Sequence, residues 1–370
     1  MTPRLGTSAL SRRALLTGTV AGAGAATTAA LAGGQPRSGV AAPERGFFGA
    51  HQAGIISRVL PFVCVAGFDV VSRDRAALVR LLQTWSSLAA DLTTTPEGGS
   101  GPVPTRLTLT FGFGPALFAG DRFGLGDQRP SALVPLPAFR GEALDPVAGN
   151  GDLCVQACAT NPTAAHQAIR ALLNIGREHV ALRWRQNGFC TEDGTADPPG
   201  LFEFRDGTCN LDVQDPKETA EHLWVDDGPP WMHGGTYLVM RRIRLLLDTW
   251  DRTGLAEQEA VIGRRLAGNQ RIAAGPDAHV RLAAPAANNG AKLLRRSYSY
   301  DAGVDPNGLM DAGLIFLCFQ RDPGRQFVPI QRRLAASDAL NAFSQHRASG
   351  LFACPPGAQP GSFIGAELLS

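Results

Sequence analysis

The strongest constraint on the fold of this chain is a match within itself. Asp152 to Pro162 (DLCVQACATNP) aligns without a gap on Gly313 to Pro323 (GLIFLCFQRDP). Each copy is an apolar strand run that turns into a helix start. Asn161 or Asp322 stands where a capping oxygen is wanted, and Pro162 or Pro323 takes the first helical position, where a missing N–H costs nothing. The pairing predicts duplication of one structural unit. Around the first copy the chain reads β-α-β-β-α-β, the order of a ferredoxin-like unit. The strands are Leu60–Val71, Leu107–Phe113, Leu153–Ala159 and Val180–Arg185. The helices run from Asp74, a ready N-cap, to Leu92 and from Pro162 to about Ile175, each with apolar residues at helical spacing. The second half supplies a strand at Gly235–Leu247, a charged helix near Arg252–Leu266, the second copy and a final helix over Gln331–Ser344.

The expected class is therefore α+β, with duplicated ferredoxin-like domains and largely antiparallel sheets. Pro- and Gly-rich stretches at 97–104, 192–200 and 284–290 read as loops. Gly112-Phe113-Gly114 lacks a third glycine and a following helix, which argues against a dinucleotide site. The expected division is a leader over residues 1–42, one domain over 43–200 and a second over 201–370.

The leader carries Arg4, Arg12, Arg13 and Arg37 and no acid, followed from Ala14 by an Ala/Gly/Thr/Leu stretch. Paired arginines ahead of a weakly apolar run predict a twin-arginine export signal, with a small-residue cleavage site at Ala30-Leu31-Ala32. The expected location is periplasmic or extracellular. Removing residues 1–32 deletes three arginines and no acid, which takes the formal charge from +2 to −1. A nearly neutral chain without a basic stripe is a poor match for nucleic acid, and no apolar run is long enough to hold the mature chain in a membrane. The seven cysteines are odd in number, form no CxxC pair and mostly sit in apolar runs, so they read as structural.

Chemistry concentrates in three segments: Leu201–Asn210 (LFEFRDGTCN), Ala278–Pro285 (AHVRLAAP) and Leu294–Tyr300 (LRRSYSY). With His51–Ile55, Leu107–Gly114, Gly151–Leu153, Gly234–Arg244 and Gly350–Ala353, in that order, they resemble the dye-decolorising peroxidases, in particular the exported, deferrochelatase-like subfamily. The resemblance covers essentially the whole mature chain. It implies one haem b per chain, held in the C-terminal half, and a homo-oligomer. Hydrogen peroxide and a bulky aromatic or phenolic reductant are the implied small-molecule partners.

A haem peroxidase needs an axial iron ligand, a base that moves the peroxide proton and a cation that offsets charge as the O–O bond breaks. The resemblance assigns these to His279, Asp206 and Arg295. It also places Gly207, Thr208, Asn210, Arg281 and Ser297 around the cofactor or its propionates. Strand alternation sends only one of Arg295 and Arg296 toward the site, and the resemblance selects Arg295. His51, His166, His179, His222, His233 and His346 read as surface or core residues. Two departures stand out. Glu203 occupies a position where the family loop has glycine; where that backbone needs positive φ a Glu is costly, and its carboxylate either narrows a peroxide channel or points to solvent. The family's carboxylate partner for the proximal histidine is also expected to be missing, because Asn341–Gln345 contains none. Iron release from haem and simple haem carriage are the competing functions.

Overall fold

The structure is a computed structural model, and it describes residues 46–94, 106–191, 198–205 and 210–370. The segment expected as a twin-arginine leader and the expected loop at 97–104 lie outside the described residues. In the first half the elements are β1 (Phe62–Val70), α1 (Arg75–Thr93), β2 (Leu107–Phe113), β3 (Leu153–Ala159), α2 (Pro162–Gly176) and β4 (Val180–Phe189). The second half carries α3 (Pro216–His222), β5 (Thr236–Leu245), α4 (Leu247–Asp251), α5 (Leu255–Ile262), α6 (His279–Leu282), β6 (Leu294–Arg295), β7 (Tyr298–Val304), β8 (Met310–Gln320), α7 (Phe327–Ser337) and β9 (Ser344–Cys354).

Helix α1 starts where its cap dictates: the Asp74 carboxylate accepts from the N–H groups of Ala76 and Ala77, and α2 is capped likewise by Asn161 accepting from Ala164. Such caps contribute about 1 kcal/mol each. The apolar faces of both helices, including Leu78, Leu81, Trp85, Ala168 and Leu172, are buried on the sheet. Trp85 Nε1 donates to Leu172 O at 2.9 Å and ties one helix to the other.

The first half orders its strands β4-β1-β3-β2, and the second orders them β9-β5-β8-β7 with β6 extending the β7 edge. This is the same antiparallel topology twice, and the duplicated segment occupies equivalent positions in each half. One pair joins β2 to β9 (Phe113↔Ala353) and one joins β4 to β7 (Phe189↔Ser299). With β5 pairing β8, the ladder returns to its start and closes a barrel. Strand β1 is covered on both faces, by the barrel interior and by the helices, and it is apolar from Phe62 to Phe68. Val63 and Val65 point inward to a core shared with Leu238, Met240, Leu317 and Phe352. Cys64, Ala66 and Phe68 point outward to the helices.

Three helix boundaries differ from expectation. Of the segment expected as a helix over 252–266 only α5 is helical, starting after its N-cap Gly254 and ended by Gly263 in the left-handed region, while α4 precedes the segment. Asp322-Pro323 does not start a helix; the Asp322 carboxylate accepts from Gly324 and Arg325 in a turn, and α7 begins at Phe327. Helix α7 then stops at Ser337, and Asp338 caps a single 3-10 turn (Ala339–Ala342) that leads into β9. The strand claims Ser344 onward because it pairs with β5 along ten residues.

Candidate functional site

Helix α7 covers the outer face of the second half-sheet. Phe327, Val328 and Ile330 pack there with Val239, Cys318 and Leu351. The C-terminal end of α7 delivers Asp338 to His279, the first residue of α6. His279 Nδ1 lies 2.6 Å from Asp338 Oδ2, and the Asp338 side chain is only 3% exposed. A backbone bond from Ala339 N to Asp277 O at 3.0 Å holds the two segments in register. Asp338 also accepts from Leu340 N at 2.9 Å, so one carboxylate both caps a turn and orients a ring. Because a carboxylate only accepts, Nδ1 carries the proton, and Nε2 is the nitrogen this tautomer offers to a metal.

The expectation that His279 lacks a carboxylate partner is thus overturned. The partner stands three residues before Asn341–Gln345, at a position expected to lie inside a helix. Its signal was present in the sequence: Asp is a poor helix-interior residue and a preferred cap, so Ser337-Asp338 marks a helix end.

Arg295 sits on β6 opposite Cys318 and is half-buried. Alternation places its side chain, and that of Ser297 opposite Phe316, on the sheet face that α7 covers. Its backbone is clamped by Asn210, whose Oδ1 accepts from Arg295 N at 2.7 Å and whose Nδ2 donates to Arg295 O at 2.8 Å. The Asn210 carboxamide therefore positions Arg295. Ser297 Oγ is buried with no hydrogen-bond partner among the described residues. Arg281, two residues after His279, is exposed. Arg296 turns the other way, into the barrel, where Nη1 donates to Ser57 O at 2.6 Å. Asp206, Gly207 and Thr208 lie outside the described residues.

Glu203 has φ +66, the left-handed backbone that the loop was expected to require of glycine. Its N–H donates to Gly200 O at 2.8 Å inside a tight loop closed by a Pro199↔Arg205 bridge. The loop is held by its flanks: Phe202 stacks on Trp250 at 4.2 Å and Phe204 meets the same ring edge-on at 6.0 Å. The Glu203 side chain is exposed rather than inserted among these rings.

A histidine ring fixed by a buried carboxylate, a cation on the same side of the sheet and a buried, unpartnered serine hydroxyl form a donor set that fits an iron porphyrin. Among the described residues no cluster of three or more His, Cys, Asp or Glu is arranged to hold a bare metal ion, and no helix is long and apolar enough to cross a membrane. Cys64, Cys154, Cys158, Cys318 and Cys354 are buried thiols.

Residues 52–190 match the N-terminal model of the Dyp-type peroxidases and residues 197–359 match the C-terminal model. Deferrochelatases of Shigella flexneri serotype 5b and of Escherichia coli O6:K15:H31 are each 31% identical, with 97% of this chain and 97% of the relative covered. Ferric DtpA from Streptomyces lividans superimposes with a TM-score of 0.81 at 37% identity, covering 88% of this chain and 97% of that one. A DyP-type peroxidase from Cellulomonas bogoriensis gives 0.79 at 35%, covering 87% and 97%. With both halves matched by the family models and near-complete coverage in relatives above 30% identity, the chain belongs to the Dyp-type peroxidase family.

Proposed function

We propose that this chain is a haem b peroxidase that reduces hydrogen peroxide and oxidises bulky aromatic or phenolic molecules, with His279 as the iron ligand, Asp206 as the distal base and Arg295 as the distal cation. The observation that carries the reading is the 2.6 Å contact between His279 and Asp338. A metal-binding histidine typically donates its other N–H to a carboxylate, which fixes the tautomer and raises the basicity of the ligating nitrogen. Bound haem supplies the two electrons that peroxide takes up and recovers them from the reductant. The protein's own work is proton and charge management. Asp206 takes the proton from the proximal peroxide oxygen and returns it to the departing oxygen, while Arg295 offsets the negative charge that develops there. Asn210 is bonded to Arg295 and lies four residues from Asp206, which supports a joint role for these residues. Ser297 and the exposed Arg281 are proposed to contact the cofactor, the latter at a propionate, with Gly207 and Thr208 in the same loop as Asp206. A division into halves at residue 200, twin-arginine export and a homo-oligomer belong to the same proposal.

The absorption spectrum of the purified protein, before and after peroxide, tests it. A Soret band that changes with peroxide and collapses in His279→Ala is expected; an intact band in that variant rejects the proximal assignment. A second reading, iron release from haem, is favoured by the relatives named deferrochelatase. Fluorescence of iron-free porphyrin formed from bound haem, without added peroxide, would support it.

A further inference from the structure

Arg296 neighbours Arg295 in the chain and serves the opposite face of the sheet. Its N–H donates to Leu317 O at 2.8 Å, continuing the ladder with β8, and its side chain enters the barrel with only 6% of the residue exposed. Nη1 is taken up by Ser57 O at 2.6 Å. Nε and Nη2 are buried and have no hydrogen-bond partner among the described residues. Those two N–H groups form the side edge of the guanidinium, the edge whose parallel donors match two oxygens of one planar anion.

The surroundings are polar but carry no compensating charge. Thr108 Oγ1 and Gln156 Oε1 are also buried, on inward positions of β2 and β3; Gln156 Oε1 has no hydrogen-bond partner among the described residues, and Thr108 faces Cys158, whose thiol Arg296 also neighbours. Gln156 Nε2 makes only a 3.3 Å bond to Gly54 O. Across them lies the 53–58 loop, pressed close at Gly54, where φ is +91 and a Cβ would stand 2.6 Å from Thr110 Oγ1 and 3.1 Å from Thr108 Oγ1. Tyr298 OH donates to Leu60 O at 3.0 Å and approaches Cys158 Sγ at 3.5 Å. Burial pushes the Cys158 thiol and the Tyr298 hydroxyl up, so both stay neutral, and no Asp or Glu among the described residues forms an ion pair with Arg296. A guanidinium does not shed its proton, and an isolated charge in an interior is expensive.

We infer that the Nε–Nη2 edge of Arg296, with the Thr108 hydroxyl, is an internal site for a small, planar, monovalent oxyanion of the formate, nitrate or bicarbonate type. The site lies on the far side of the strand from Arg295, and it does not depend on the peroxidase reading.

The test uses the full chain with haem bound and cyanide held on the iron, so that the iron takes no second anion. Formate replaces gluconate at constant ionic strength, followed by thermal unfolding and by the relaxation of carbon-13 formate. Wild type should show a saturable rise in Tm and saturable relaxation, Arg296→Met should abolish both, and Arg296→Lys, which keeps the charge without the fork, should weaken binding on the order of tenfold. If the Met variant does not fold, the Lys variant and Thr108→Val carry the comparison. No saturable effect in wild type, equal binding in Arg296→Lys, or a crystal structure grown in formate that shows only water on Nε and Nη2 would overturn the proposal.

Discussion

The Asn210 side chain pairs with the Arg295 backbone through two hydrogen bonds, of 2.7 and 2.8 Å, as a neighbouring strand would. Strand β6 is only two residues long, so this clamp supplies the edge pairing that fixes where Arg295 leaves the sheet.

Replacing Asn210 by Ala removes both bonds, at a cost of about 1–3 kcal/mol. The rate of reaction with peroxide should fall by roughly ten- to a hundredfold, as expected when a reacting group is displaced by about an ångström. Haem content should be unchanged. Asn210→Asp keeps the acceptor for Arg295 N–H and loses the donor, so it should fall between the two. Stopped-flow rates equal to wild type in both variants would remove the positioning role.

Asp338→Asn has one acceptor oxygen where the carboxylate offers two, so with that oxygen turned to His279 Nδ1–H it loses both the charge and the bond from Leu340 N. A neutral acceptor makes the imidazole a poorer donor, which favours ferrous over ferric iron. The midpoint potential should therefore rise and turnover should fall by about ten- to a hundredfold. Asp338→Ala loses the acceptor for the ring as well, and loss of the cap costs either variant about 0.5–2 kcal/mol of stability. Redox titration of both variants separates the electronic effect from the structural one; an unshifted potential in Asp338→Asn would show that the carboxylate only orients the ring.

A buried cluster beneath α7 predicts acid sensitivity. Arg241, 1% exposed, pairs with Glu142, donates to Ser349 Oγ at 3.2 Å and points Nε at His346 Nδ1, 3.3 Å away. Burial, with Arg241 adding to it, pushes the His346 imidazole down to about 3. The unfolded chain therefore binds a proton that the folded chain refuses, so this contribution is complete above the ordinary value of 6.5 and is lost as pH falls toward 3. The slope is at most about 1.4 kcal/mol per pH unit. His346→Asn retains an acceptor for Arg241 and does not titrate, so its stability should vary less between about pH 6.5 and 4.5, above most carboxylate titrations. Parallel stability curves for the two proteins would refute the assignment.

Local chemistry made the helix starts legible. Asp74 and Asn161 are caps with an apolar face behind them, and α1 and α2 begin where those residues demand. The duplicated strand-turn segment likewise revealed the repeated topology. Barrel closure left no local trace, because each seam rests on a single pair, Phe113↔Ala353 and Phe189↔Ser299. Asp338 was missed because apolar spacing runs on past Ser337 and hides the helix end. Alternation alone separates Arg295 from Arg296, but which face α7 covers is a tertiary fact.

Glu203 is where the sequence departs from glycine and the backbone does not. Its φ of +66 belongs to a loop whose neighbours, Phe202 and Phe204, are wedged against Trp250. Those aromatic contacts hold the turn in place, and Glu203 bears the strain, about 1–2 kcal/mol for an L-residue in this region. Glycine relieves it but gains freedom in the unfolded chain, offsetting about 0.4–1 kcal/mol. Glu203→Gly should thus be neutral to about 1 kcal/mol more stable, whereas Glu203→Val, branched at Cβ, should be less stable than wild type. Because the Glu203 side chain is exposed, cyanide affinity and the peroxide rate should stay at wild-type values in Glu203→Gly. Tighter anion binding and faster peroxide reaction in that variant would instead place the carboxylate at the mouth of the distal channel.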